Sequence, residues 1–448
     1  MEIHVVSKQD NSQHRVIPFS SLGVSALNQL TNSPTHVRVR PAVISLSSNN
    51  LSYARGGTLL HWWDAYPVPN TESIKSAGWG IVPAWGFAVV TESTTPGISP
   101  GAVLWGFWPT ADVPIDLKLE PSQPDGHWSE VSEHRKLLMT IYNQYVVNPL
   151  INFPVKNPAN MTDLGWEALF RPIWQTGYLL SEYVFSTRTV TNKLHGQINP
   201  IHPLGIDLPW TQEDADLSQA FLISLSASGK TARSFAYHVF KRPEGSGPVK
   251  FLQVTQTPSL IDSIGNKLGS AVPSDTIAYD NLPKTLDGAN TLPGWLPQDT
   301  PKKVIIMDFG GRDSSLQHLL EVLGKYYPDA GPKIVILQIG SQQKIYTSEE
   351  LQTTREDMTR LGKIQVNTSG IRDAAIRAVG AETYYQKVDP VWDDWLKVSH
   401  SIMPDLQIVW GDGVSGEKGV EYGWKRICGG EVGAQEGLVY RLGIASDK

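Results

Sequence analysis

The stretch Ala220-Phe-Leu-Ile-Ser-Leu-Ser-Ala-Ser-Gly-Lys-Thr-Ala-Arg-Ser-Phe-Ala236 decides how this chain is read. It opens on a short, almost continuous apolar run, the pattern of a β-strand covered on both faces. Four small residues follow, Ser226-Ala-Ser-Gly229, and then a segment that continues as a helix. Backbone N–H groups near Ser228–Thr231 would face outward at that turn, and the helix dipole would add its positive end. The segment therefore reads as a cradle for a pyrophosphate.

Downstream the same grammar repeats. New strands are expected near Ala220, Lys250, Asp275, Lys303 and Lys333, as in Phe251-Leu-Gln-Val and Ile334-Val-Ile-Leu, with helical segments between them. Strand–helix–strand alternation of this kind builds a doubly wound parallel sheet. Gly310, Gly311 and Gly340 fall at the carboxyl ends of the fourth and fifth strands, where such sheets bind ligands.

Two phosphate motifs compete for the turn. Gly229-Lys230-Thr231 supplies the end of a nucleoside-triphosphate loop, and Val304-Ile-Ile-Met-Asp308 imitates its metal-holding strand, but Ser224 stands where the first glycine belongs. The dinucleotide fingerprint is also eroded, with Ser226, Ser228 and Ala232 near its glycines, although small residues still allow close approach. A plainer alternative is a turn whose small residues only let the helix pack on the sheet. At the end of the second strand, Val254-Thr-Gln-Thr-Pro-Ser lacks the acid that binds a ribose hydroxyl, which favours NADP over NAD. Ser226, Ser228, Gly229, Lys230, Thr231, Thr255, Gln256, Tyr279, Gly310, Gly311 and Gly340 are the expected cofactor-binding residues, with Lys230 or Arg242 as phosphate partners.

Upstream of the turn the pattern differs. From His36 to Leu119 short strands alternate with turns, then apolar spacing predicts a helix over Ser132–Tyr145 and another over Asp163–Phe185, kinked or begun at Pro172. The Pro-rich segment Gly196–Asp216 reads as surface loop. From about Val366 the pattern is irregular until Leu406-Gln-Ile-Val-Trp, a helix over Val420–Cys428 and Gly437-Leu-Val-Tyr-Arg-Leu.

Composition bounds the function. The 448 residues point to two or three domains, and 40% hydrophobic against 18% charged residues describes a globular chain. The net charge of −6, with no Lys/Arg block longer than a pair such as Lys241–Arg242, offers no field for nucleic acid. One cysteine, Cys428, forms no internal disulfide and no four-thiolate zinc site. No apolar run reaches the roughly 18–20 residues of a membrane span, and the N-terminal residues do not resemble a signal peptide. A cytoplasmic protein with no membrane or nucleic-acid partner is expected.

Over most of its length the chain resembles the medium-chain dehydrogenase/reductase superfamily. The resemblance rests on Val37-Arg-Val-Arg-Pro, Ser48-Asn-Asn-Leu-Ser-Tyr-Ala-Arg-Gly-Gly57, Pro83-Ala-Trp-Gly-Phe-Ala-Val-Val-Thr-Glu-Ser and Gly97-Ile-Ser-Pro-Gly-Ala-Val-Leu-Trp-Gly106. It looks closest to a fungal family known as a domain of unknown function, through Asn49-Asn50 with Tyr53, His134-Arg135 with Tyr142-Asn-Gln-Tyr145, Phe170-Arg-Pro with Thr176, and Ser226-Ala-Ser-Gly-Lys-Thr-Ala. The implied fold is α/β: a GroES-like β-rich domain (1–165), a Rossmann-like domain (166–365), and a segment (366–448) returning to the first.

The resemblance implies a zinc-independent, quinone/enoyl reductase-like enzyme using NADP(H), because the cysteine, histidine and acid ligands of the zinc enzymes are not found near Asn49. Ala102 also replaces the acid usual in the Gly-Asp-x-Val turn. In such reductases the substrate sits over the nicotinamide between the domains. Asn50 is then expected to hydrogen-bond a developing oxyanion and Tyr53 to deliver a proton, or else both serve the turn and its packing. Trp62, Trp63, Tyr142 and Tyr145 are expected to line a pocket for an aromatic or polyketide-like secondary metabolite, a ketone or enone, unless they serve as core. His134 beside Arg135 is an anion ligand or base, or half of a helix-surface ion pair. No Gly-x-Ser-x-Gly elbow indicates a hydrolase. Two other readings stay open: a redox-neutral cyclase or lyase that has lost its cofactor, and a non-catalytic small-molecule binder. A homodimer is expected from sheet-edge pairing.

Overall fold

Each strand expected downstream of Ala220 forms in the computed structural model, which describes residues 1–30, 35–69, 78–149, 151, 153, 158–186, 190–192, 196–282, 293–312, 314–328 and 331–443. The chain divides into two units: Met1–Pro172 with Gln343–Ile345 and Leu406–Lys448, and Ile173–Gln342 with Tyr346–Asp405.

The first unit is β-rich. Its strands are β1 (Glu2–Ser7), β2 (His14–Pro18), β3 (Val37–Leu46), β4 (Trp79–Gly80), β5 (Pro83–Ser93), β6 (Val103–Pro109), β7 (Ile115–Leu117), β8 (Leu119–Pro121), β9 (His127–Glu130) and β10 (Gln144–Asn148). The helices α1 (Ser48–Arg55) and α2 (Pro158–Leu169) accompany them. Among the described residues β1, β2 and β4 form a small antiparallel sheet. The larger sheet has the path β3-β5-β6-β10-β9-β8, with β7 beside β3. Two late strands, β19 (Gln407–Asp412) and β20 (Glu436–Arg441), complete it, β20 lying antiparallel to β3.

The second unit contains α3 (Arg171–Leu179, its first two residues still in the first unit), the ribbon β11 (Val190–Asn192) and β12 (Gly196–Ile198), and α4 (Gln212–Ala215). Then come β13 (Ala220–Leu225), α5 (Lys230–Phe240), β14 (Lys250–Thr255), α6 (Ile264–Lys267), β15 (Ser274–Ala278), β16 (Lys303–Phe309), α7 (Ser315–Tyr326), β17 (Lys333–Gly340), α8 (Ser348–Arg360) and β18 (Ile364–Gln365). All six strands of its main sheet run parallel, in the order β15-β14-β13-β16-β17-β18. Counted within the sheet this is 3-2-1-4-5-6, the Rossmann order. Every residue of β13 and β16 is buried, as parallel strands covered on both faces must be. The fold is thus α/β, a β-rich unit and a Rossmann-like parallel sheet.

Four segments depart from the sequence expectation. Residues 132–145 form no single helix but two 3₁₀ turns, Glu133–Arg135 and Thr140–Asn143, leading into β10. Cross-strand pairing of Tyr145 with Trp128 overrides the helical spacing, and Leu137, which that spacing would place on the same face as Ile141 and Tyr145, is 68% exposed. The helix expected over Asp163–Phe185 is α2, then α3 with Pro172 at its second position, then a π-helical turn over Leu180–Val184. The loop expected over 196–216 includes β12 and α4.

The stretch 366–405 is not irregular. It holds α9 (Thr368–Val379) and the 22-residue α10 (Ala381–Ile402), separated by Gly380 at φ 84°. Tyr384, Val388, Trp392, Trp395, Ser399 and Ile402 recur at helical spacing on the buried face of α10. Because α10 packs on α6 and α9, this segment belongs to the second unit, and the return to the first begins at Leu406 and not at 366.

Candidate active site at the carboxyl edge of the parallel sheet

The turn between β13 and α5 is built from small residues held in an unusual backbone. Ser226 has φ 59°, a left-handed conformation that costs a residue bearing a Cβ. Its N–H donates to the Tyr279 hydroxyl at 2.7 Å, and Gly229 N–H donates back to the Ser226 carbonyl at 2.9 Å. Ala227 N–H donates to the Val254 carbonyl at 3.0 Å, tying the turn to the neighbouring β14. One strand over, the Thr255 hydroxyl donates to the Ser228 hydroxyl at 2.7 Å. Ser226, Ser228, Thr255 and Tyr279, singled out separately in the sequence, thus meet in one hydrogen-bonded set. Burial raises the Tyr279 pKa, against the pull of the Ser226 N–H, so this phenol stays protonated at neutral pH.

Gly229 is the N-cap of α5, and no side chain caps it. The first N–H groups of a helix have no partner within it, so this end of α5 presents donors and a positive dipole. Lys230 and Thr231 form its first two residues and are half-buried, as are Ser226, Ser228 and Gly229. Gln256 is exposed just beyond Thr255.

Across β16 a second turn is held by a carboxylate. Asp308, 5% exposed, accepts the N–H groups of Gly310 and Gly311 at 3.0 and 2.7 Å. Gly310 has φ 109°, and a Cβ there would meet the Ser341 carbonyl oxygen at 2.7 Å. Gly340 passes equally close to Phe309, whose carbonyl oxygen a Cβ would meet at 2.6 Å. These glycines therefore answer to backbone crowding where the β16–β17 register shifts. Asp308 holds a turn, and its likeness to a magnesium-binding strand ends there.

Arg242 is not a phosphate partner. Its guanidinium donates to the carbonyls of Ser181, Phe185 and Ser246, closing the end of α5 onto the preceding segment. The sequence reading missed Arg233, whose fully buried guanidinium binds both oxygens of Asp405 and the Ser228 carbonyl. A basic residue inside an apolar helix face was the available signal, but its partner lies 172 positions away.

In the first unit, Asn50 completes a capping box on α1: its side-chain oxygen accepts the Ser47 N–H at 2.8 Å, and its amide donates to the Pro83 carbonyl at 2.9 Å. Tyr53 is 6% exposed, its hydroxyl accepts the Trp85 indole N–H at 3.1 Å, and burial raises its pKa well above that of a free phenol. These bonds commit both side chains to the protein interior. Trp62 and Tyr142 pack edge-on with Tyr53 and with each other, centroids 4.9 to 5.8 Å apart. Trp63 fills the space beside Gly57 and Gly80. Tyr145 is fully buried against Tyr66 and accepts from Arg135 at 2.8 Å. All four rings expected to line a pocket are core, each under 9% exposed. His134 has its pKa lowered, by burial first and then by Arg135, and ion pairs near this turn join Lys136 to Glu133 and Arg135 to Glu130. Among the described residues no cluster of three His, Cys, Asp or Glu side chains is placed to hold a metal, and no helix is long and apolar enough to cross a membrane.

A family model described as "Protein of unknown function (DUF2855)" matches residues 44–433. The chain belongs to that family. No curated protein sequence matches it. Among solved structures, CurA of Vibrio vulnificus in complex with NADPH is similar over 99% of both chains, at 8% identity and a TM-score of 0.47. A mutant enoyl thioester reductase of Candida tropicalis is similar over 98% of this chain and 99% of its own, at 9% and 0.45. Cinnamyl alcohol dehydrogenase of Sorghum bicolor is similar over the whole of both chains, at 10% and 0.39.

Proposed function

We propose that this DUF2855 chain is a zinc-independent, NADP(H)-dependent reductase of the medium-chain type, acting on a ketone or enone. One observation carries the reading: the β13–α5 turn stands at the first position of a 3-2-1-4-5-6 parallel sheet, with a glycine N-cap that no side chain closes. That is where a pyrophosphate is bound in such sheets, against a helix N-terminus. The residues fit the group. Ala227, Ser228 and Gly229 are small, the leading N–H groups of α5 are donors, and the end of β14 offers Thr255 and Gln256 in place of a carboxylate that would repel a 2′-phosphate.

Bound there, the dinucleotide would supply hydride chemistry. The chain's own part would be to hold it: the N-terminus of α5 and Ser228 would receive the pyrophosphate, with Lys230 and Gln256 as the polar side chains nearest that turn and the end of β14. Asn50 and Tyr53 are given no catalytic part, their polar groups being engaged inside the first unit. Polyketide-like enones are the substrates to assay first.

A second reading, a redox-neutral cyclase or lyase or a small-molecule binder without cofactor, draws support from the same turn. Its Ser226 N–H and Ser228 hydroxyl already have partners in Tyr279 and Thr255. Calorimetric titration with NADPH separates the two. Binding at micromolar to low millimolar cofactor is expected, with NADH weaker; no heat at millimolar NADPH removes the reductase. Ser228→Arg should then abolish binding with the fold intact.

A further inference from the structure

Arg233 is the fourth residue of α5, and its guanidinium has no exposed surface. Nη1 and Nη2 donate to the two oxygens of Asp405 at 2.9 and 2.7 Å, a planar two-point match. Nε turns the other way and donates to the Ser228 carbonyl at 2.9 Å. Asp405 lies three residues beyond the end of α10, with a side chain 16% exposed. Buried charge of this kind is costly to assemble and persists where geometry is well satisfied.

We propose that Arg233 and Asp405 are a positioning pair for the pyrophosphate of the bound dinucleotide, an inference that rests on the function proposed above. The Ser228 carbonyl and the Gly229 N–H belong to one rigid peptide plane. Fixing the carbonyl from below sets the direction of that N–H, which meets the Ser226 carbonyl, and sets where the N-cap delivers the first turn of α5. The turn needs this support because its apex, Ser226, sits in a backbone region that its Cβ disfavours. Asp405 neutralises the guanidinium, so the pair lends the phosphates direction and little net charge. Lysine at 233 would keep the charge but lose the fork and the third bond.

The test is titration of the full chain and its variants with NADPH and, in parallel, with adenosine 2′-monophosphate, which has no pyrophosphate. Arg233→Lys is expected to raise the NADPH Kd about tenfold or more while the Kd for the monophosphate stays within about twofold. An unchanged NADPH Kd, or an equal loss for both ligands, overturns the proposal. If Arg233→Lys does not unfold cooperatively, Asp405→Asn is read instead; it keeps the guanidinium but breaks one arm of the fork, and a severalfold loss confined to NADPH is expected. Equal loss for both ligands again overturns the pair's role. Failure of the unsubstituted chain to bind NADPH is a different result: it removes the cofactor itself.

Discussion

Ser226 shows how a single backbone angle separates what the sequence states from what the fold requires. At φ 59° it occupies a glycine's conformation with a serine's side chain. Ser226→Gly removes that strain and keeps the N–H bond to Tyr279, so it is expected to stabilise the second unit by about 0.5–1 kcal/mol, seen as a higher denaturant midpoint. Gly310→Ala runs the opposite way. Its φ of 109° and the Ser341 oxygen at 2.7 Å leave no place for a methyl group, and a loss of about 1–3 kcal/mol is expected in the same measurement. The turn's location was legible because apolar strand, small residues and helix follow each other in order. The joining of Ser226 to Tyr279 was not, since a bond across 53 positions leaves no local trace.

At the scale of elements, helix α1 explains why Asn50 looked chemical. An asparagine three residues after a serine, ahead of an apolar stretch, reads equally as a reactive amide or as half of a capping box, and Ser47 decides for the box. Asn50→Ala leaves the Ser47 N–H and the Pro83 carbonyl without partners, and a loss of about 2–3 kcal/mol is expected on thermal or chemical unfolding. Unchanged stability with lost turnover would restore the catalytic assignment. Periodicity served well where one face is buried and poorly where tertiary pairing intervened. The strands after Ala220 are uninterrupted apolar runs, whereas Tyr145 and Leu138 share helical spacing yet sit in a strand and a bend. In α10 the spacing was present, but Pro390 within it masked a long helix.

For the whole molecule, two buried histidines contribute to a loss of stability in acid. Burial, then the neighbouring His14, lowers the His4 pKa to about 3; burial, then Arg242 and Lys241, lowers that of His238 to about 3. Each titrates near 6.5 once unfolded. Between these values the unfolded chain binds more protons than the folded one, so stability is full above about pH 6.5 and falls as pH drops toward 3. The loss is on the order of 1.4 kcal/mol per pH unit for each histidine within that window. His4 lies in the first unit and His238 in the second, so both should show it in urea midpoints compared at pH 7.5 and 5. His238→Phe should flatten the slope of the second unit alone.

The pairing of β20 with β3 carries a consequence for biosynthesis. A ribosome delivers β3 almost four hundred residues before the strand that will lie beside it, with the entire parallel-sheet unit made in between. Throughout that interval Val43–Leu46 present an open ladder of backbone donors and acceptors, the surface on which nascent chains stick to one another. Chains released early, after Asp405, should accumulate in the pellet, while co-expression of the missing segment 406–448 should bring part of them back into solution.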